Sequence, residues 1–233
     1  MALVLSEEQV MLRDAAAGFL QEKATVEQLR ALRDEASETG FSADVWREMA
    51  EMGWAGIAID EEFGGLGYGY TGLGLVLEQT GRNLSASPLQ STVLVAASVI
   101  NELGNSEQKA ALLPGIAAGA SLVSLALQEG AHHAPELTET SVARDGDDYV
   151  INGSKVLVMD AVAAQQFLVV ARASGAAGDT DGLSVLLVDT GTEGLGVEHR
   201  SMVDSRGNGA LSLNNVRVPA ANLLGGEGGA HPG

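Results

Sequence analysis

The spacing of apolar residues changes once, near residue 120, and that single change restricts the chain to folds that keep helices and strands apart. Up to about Ala120 apolar side chains recur at helical intervals, with punctuation where helices need it. Ser6-Glu7-Glu8-Gln9 has the form of a capping box: the Ser hydroxyl takes a free amide and the Gln side chain reaches back. Leu12, Ala16, Phe19 and Lys23 follow along one stripe. Ser42 can cap a helix carrying Trp46, Met49 and Ala50 that should stop near Gly53. Leu73 to Thr80 reads as a helix closed by Gly81, and another runs from about Leu89 to Leu103 and ends at Gly104. Asn105-Ser106 caps a further helix that Pro114-Gly115 perturbs, so five or six helices are expected.

Beyond Ala120 the apolar runs are short and separated by Gly and Asp, as strands require. They are Ser121 to Leu127, Tyr149 to Ile151, Ser154 to Val158, Phe167 to Ala171, Leu183 to Val188, Val197 to His199, Ala210 to Leu213 and Val216 to Val218. Asn152-Gly153 gives a two-residue hairpin signal, and Asp145-Gly146 gives a second turn. Ser174 to Thr180 reads as a loop between strands. The expected fold class is α+β: an all-helical N-terminal domain over residues 1–120, then an antiparallel β-barrel middle domain over residues 121–233 that ends in a Gly-rich linker from Gly225. A chain that finishes on a linker suggests a fragment.

Composition removes whole classes of function. With 31 acidic against 13 basic residues the net charge is −18, which argues against nucleic-acid binding through phosphate neutralisation. The absence of cysteine excludes disulfides, thiolate metal sites and thiol nucleophiles. The apolar run Ala2 to Leu5 leads straight into acids and lacks the form of a secretory signal. No window approaches a membrane span of about 18 apolar residues, so a soluble, cytoplasmic protein is expected.

Single motifs say little. Gly67-Tyr68-Gly69-Tyr70-Thr71-Gly72 matches G-x-G-x-x-G, but no convincing strand precedes it and no acid follows at the dinucleotide-binding distance. It reads as a turn that starts a helix. His132 and His133 are adjacent and on a strand would face opposite ways, His199 and His231 are alone, and no metal site is expected. Asp60-Glu61-Glu62-Phe63-Gly64-Gly65-Leu66-Gly67 places carboxylates before a Gly pair. That pattern suits an acid/base site or, more readily, an exposed turn.

Taken in order, several stretches together resemble the acyl-CoA dehydrogenase family. Ser6 to Gln9 with Leu12-Arg13, Gly53-Trp54-Ala55-Gly56-Ile57, Glu61 to Gly67, Leu77 to Arg82, and Gln108-Lys109 with Leu112 to Gly119 are similar to its helical domain. Asp145-Gly146, Ile151 to Lys155, and Asn215 to Ala220 with Leu224-Gly225 are similar to its middle domain. The resemblance implies a helical domain, a β-barrel and a C-terminal helical bundle, an oligomer, usually a tetramer, and flavin adenine dinucleotide (FAD) as cofactor. It also implies flavin-dependent α,β-desaturation of an acyl-CoA thioester. A carboxylate base removes the α-proton while a hydride leaves to the flavin. The base stands on the bundle, which this chain would stop short of, so no catalytic residue is assigned within it.

The same resemblance places the cofactor-binding positions at Leu127, Gln128, Glu129, Leu157, Val158 and Met159, and a substrate-binding position at Ala134. The sequence departs from the family at both places. Where the family reads Leu-Thr-Glu-Pro and then Gly-Ser-Asp, this chain has Leu127-Gln128-Glu129-Gly130 and Ala134. Where the family has Trp-Ile-Thr-Asn after the lysine, it has Leu157-Val158-Met159-Asp160, without the stacking ring or the hydroxyl. Leu127, Leu157 and Val158 equally suit a barrel core. Arg206 in Asp204-Ser205-Arg206 suits a structural ion pair better than a CoA phosphate contact. Two readings follow: a divergent dehydrogenase, or a non-catalytic partner subunit of a hetero-oligomer with a degenerate flavin site. Either implies an acyl-CoA substrate and a homo- or hetero-oligomer. A third is a stand-alone binding module.

Overall fold

In a computed structural model that describes residues 4–35 and 37–230, the helices come first. They are α1 (Glu7–Lys23), α2 (Val26–Asp34), α3 (Ala43–Glu51), α4 (Gly69–Asn83), α5 (Leu89–Ala96 continuing as Ala97–Leu103) and α6 (Ser106–Ala117). Ala2 and Met1 of the N-terminal stretch, and His231, lie outside the described residues. The capping box forms as expected, with Gln9 N donating to Ser6 Oγ at 3.2 Å and Ser6 N to Gln9 Oε1 at 3.0 Å. Asn105 and Gln108 form a second one at the start of α6. Helix α3 starts on Ser42 and gives way at Gly53, whose φ of 80° suits only a residue without a Cβ.

Three helical details differ from the sequence expectation. Helix α2 was not foreseen; Thr25 caps it by accepting from Gln28 N, and none of its residues is buried. Helix α4 runs through Gly81 to Asn83, and Leu84, at φ 53°, ends it instead. The first eight residues of α5 are wound as a π-helix, a wider turn than periodicity can reveal. That turn carries buried Ser91 and Thr92 toward the strands: Thr92 Oγ1 donates to Val123 O at 3.0 Å and accepts from Val123 N at 3.2 Å.

The strands are β1 (Val123–Ala126), β2 (Ser141–Asp145), β3 (Asp148–Val158), β4 (Gln166–Arg172), β5 (Leu183–Asp189), β6 (Leu195–His199), β7 (Gly209–Pro219) and β8 (Leu223–Leu224). They form one mostly antiparallel sheet in the order β6-β7-β3-β2-β4-β5-β8, with β1 added parallel to β4. The expected barrel is not closed. Strands β2 and β4 meet at one register position, Ser141 opposite Arg172, and the end strands β6 and β8 do not pair with each other. The hairpin expected at Asn152-Gly153 is also overturned, because β3 runs straight through it. Gly153 is needed there for a different reason: a Cβ would lie 2.5 Å from Thr140 Oγ1 and 2.7 Å from Thr140 Cα. The Asp145-Gly146 turn does join β2 to β3. Residues after Gly225, expected as a linker, are tied to β5 as far as Ala230, whose amide donates to Leu183 O at 2.9 Å, and Gly228 N donates to Ser184 Oγ at 2.9 Å.

Strand β4 is buried on both faces and joins two cores. Leu168 and Val170 belong to the core that the helices build, together with Leu20, Met49, Trp54, Ile100 and Leu113. Phe167, Val169 and Ala171 point the other way, to Ile151, Val158, Leu186, Val188 and Val216. Each fully buried Leu or Phe contributes about 1.5–3 kcal/mol. Because the helices pack directly on this sheet, the end of β1 and the end of β3 are held at one fixed place.

Candidate functional site

The two stretches singled out from the sequence meet at that place. Val156 N donates to Gln128 O at 2.7 Å, which ties the loop after β1 to the last turn of β3. Lys155 points inward and is completely buried; its Nζ donates to Leu127 O at 3.1 Å and to Glu129 Oε1 at 2.6 Å. The Glu129 carboxylate also accepts from Glu139 N at 2.7 Å and Thr140 N at 2.9 Å. Burial pushes the Glu129 carboxyl upward, but the donors from Lys155, Thr140 and the two amides outweigh it and hold it below its ordinary value. Burial pulls the Lys155 ammonium down, and Glu129 opposes this only in part.

Immediately after Lys155 the β3–β7 pairing skips, and Leu157 takes φ 54°. A bulge of this kind re-aims a side chain at the cost of local strain of order 1 kcal/mol. Leu157 is turned outward and is 45% exposed, whereas Val158 returns to the inner core at 1%. Val158 therefore has only its backbone to offer, and Met159 lies half-buried beside it. Leu127 contributes its carbonyl to Lys155. The Gln128 side chain is folded onto its own loop, donating to the carbonyls of His132 and Gly130. Ala134 starts the turn Pro135–Leu137, with its carbonyl accepting from Leu137 N at 3.0 Å, and makes no bond to the β3 end.

A second polar group lies next to Met159. Asp160, at φ 50° and 4% exposed, accepts from Ser91 Oγ of α5 at 2.6 Å. Arg206 Nη2 donates to Ser87 O at 2.6 Å and lies 3.3 Å from Asp160 Oδ1. Arg206 thus makes the structural ion pair that its sequence context favoured. Ser91 and the buried state of Lys155 were missed. Ser91 is 69 positions from Asp160, and no local pattern joins them. The lysine stands at an ordinary strand position. The acids of Asp60 to Glu62 are exposed in a turn of their own. Among the described residues no cluster of three or more His, Asp or Glu is placed to hold a metal ion, and no helix is long and apolar enough to cross a membrane.

The fit to a flavin rests on the backbone. Among the described residues, the amides of residues 130–134 donate to no protein acceptor, and their loop is tied next to the Leu157 bulge by the Val156–Gln128 bond. A row of free N–H groups beside an outward apolar side chain suits a flat ring system that carries carbonyl and phosphate acceptors. Of the side chains named for this role, Gln128 is spent on its loop and Met159 has no donor to give.

The molecule thus joins six helices to an open, mostly antiparallel sheet, with the end of β1 tied to a bulge in β3. Residues 6–120 match the acyl-CoA dehydrogenase N-terminal domain, and residues 127–219 match the acyl-CoA dehydrogenase middle domain. The chain belongs to the acyl-CoA dehydrogenase family. It is 31% identical to mitochondrial isobutyryl-CoA dehydrogenase of Dictyostelium discoideum over 96% of this chain and 54% of that protein. An acyl-CoA dehydrogenase of Geobacillus kaustophilus superposes with a TM-score of 0.85 at 26% identity, over 98% of this chain and 60% of that one. The ChsE4-ChsE5 complex of Mycobacterium tuberculosis gives 0.85 at 26% identity, over 97% and 59%. The chain therefore spans between half and three fifths of the length of these relatives.

Proposed function

We propose that this chain supplies the helical and sheet portions of a flavin-dependent oxidoreductase that desaturates an acyl-CoA thioester in the cytoplasm, within a homo- or hetero-oligomer. The observation that carries the reading is the Leu157 bulge, held against the loop of residues 127–134 by the Val156–Gln128 bond, in a member of this family. FAD, where bound, supplies the hydride acceptor. The amides of residues 130–134 would hold its acceptor atoms, and Leu157 would lie against the ring in place of an aromatic side chain. The two carboxylates at the site are already committed, Glu129 to Lys155 and Asp160 to Ser91 and Arg206. Neither is free to take a proton from carbon, so on this reading neither is the base.

A second reading is supported by the same commitments. With Gln128 and Glu129 turned into the protein, the chain has the features of a partner subunit whose flavin site has degenerated, while a second polypeptide keeps the chemistry. The visible absorption spectrum separates the two. The protein is expressed as its complete reading frame, alone and together with any neighbouring dehydrogenase-like reading frame. A yellow protein that bleaches on adding acyl-CoA when expressed alone supports the first reading. Colour only in the co-purified complex supports the second, and no colour in either rejects flavin binding.

A further inference from the structure

Helix α2 leaves a groove of about 670 Å³ between itself, the end of α4, the start of α5 and the segment joining β6 to β7. That volume suits a small molecule. Its walls combine an apolar part, made by Val26, Leu29, Leu77, Leu84 and Leu94, with a polar one; Leu84 is 59% exposed and Val203, at the mouth, fully so. Its charge is opposite to that of the molecule. In a chain of net charge −18, three arginines (Arg30, Arg33 and Arg206) line the groove against one carboxylate, Asp204. Asp204 is already bonded to Asn208 Nδ2 at 3.2 Å and to Arg206 N at 3.1 Å.

The arginines are not equally free. Arg33 pairs with Asp34 at 2.7 Å, and Arg206 serves Ser87 and Asp160 through Nη2 yet keeps a buried Nε–H with no acceptor. Arg30 forms no ion pair among the described residues; Glu27, one turn earlier, feels it only as the least of several influences. A buried donor without a partner calls for an acceptor. An unpaired guanidinium at the edge of an apolar groove favours a carboxylate.

We infer that this groove binds the apolar body of a small amphipathic carboxylate, with the carboxylate at Arg30. The groove shares Gln90, Asp204 and Arg206 with a small cavity of about 50 Å³ that Met159 and Asp160 also line. Resting on the acyl-CoA reading above, the groove is then the far end of the acyl site. The substrate class is an acyl thioester that carries a second, ionised carboxylate remote from the sulfur.

The test is calorimetric titration of the complete protein with dodecanoate and with dodecanol, which share a tail and differ in charge. Dodecanoate is expected to bind about fivefold or more tighter than dodecanol, and Arg30→Gln is expected to abolish that preference without changing the unfolding temperature, since Arg30 is exposed and unpaired. Equal affinity for the two probes overturns the proposal, as does a preference that survives in Arg30→Gln. No binding of either probe overturns it too; a dimer in sedimentation would then give the groove to a second copy of the chain. If the dodecanoate preference holds while every assembly stays colourless, the flavoenzyme reading fails and the carboxylate site stands.

Discussion

Two buried cations, Lys155 and Arg172, are neutralised in opposite ways. Lys155 at the end of β3 depends on one carboxylate, Glu129, with one backbone carbonyl in support. Arg172 at the end of β4 has no carboxylate partner among the described residues. Its guanidinium donates to the carbonyls of Thr138 at 2.9 Å, Glu136 at 2.7 Å, Asp179 at 3.1 Å and Asp181 at 3.0 Å. The first arrangement concentrates the compensation in a single titratable side chain, next to the stretch that faces the proposed cofactor. The second spreads it over backbone dipoles and fastens two loops, residues 134–140 and 174–182, to the sheet. The difference teaches where the molecule is sensitive: near Lys155 to one substitution and to pH, near Arg172 to neither unless the arginine itself is lost.

The largest effect is expected from Glu129→Ala, which leaves the Lys155 charge buried and uncompensated and should cost about 3–5 kcal/mol in urea unfolding. A loss below about 1 kcal/mol would show that Lys155 simply deprotonates or finds water, and the contrast with Arg172 would collapse. Arg172→Met removes the donor shared by the carbonyls and should cost about 2–4 kcal/mol, less than the sum of the bonds because the loops can turn toward water. Acidification separates the two sites further. Glu129 is held below its ordinary value of 4.5 in the folded protein, so the unfolded chain takes up that proton first as pH falls. The stability it contributes is present above about pH 4.5 and is lost as pH drops through the folded value. Arg172→Met should keep this acid slope, whereas the paired variant Lys155→Met with Glu129→Gln should lose that share of it. The smallest effects sharpen the comparison most: Glu136→Ala and Asp181→Ala keep the carbonyls that Arg172 uses and should change stability by less than about 0.5 kcal/mol.

Most of the helices were legible because their signals are local. Ser6 with Gln9 and Asn105 with Gln108 are three residues apart, and the bonds that cap α1 and α6 are made by those same residues. Helix α2 announced itself only through Thr25, with no stripe deep enough to bury. The sheet was legible in its strands but not in its closure, since pairing between distant strands leaves no mark on either sequence. Asn152-Gly153 misled because glycine serves a turn and a close backbone approach equally well, and only the presence of Thr140 decides between them. At the site, the family resemblance pointed to Leu127 to Glu129 and Leu157 to Met159, and the structure brings those stretches together. Where their side chains point depends on Lys155, Ser91 and Arg206, which act across 26 to 69 residues of sequence.

Glycine 65, in the acidic stretch that first resembled an acid/base motif, has no room for a side chain: a Cβ would lie 2.0 Å from the Ile59 carbonyl oxygen and 2.7 Å from that of Gly56. Glu61 and Glu62, by contrast, project freely into solvent. Saturation mutagenesis of this turn should return only glycine at position 65 and a broad choice at 61 and 62. Heredity would then preserve this one glycine for want of space beside the two carbonyls, and its constancy among descendants would record volume rather than chemistry.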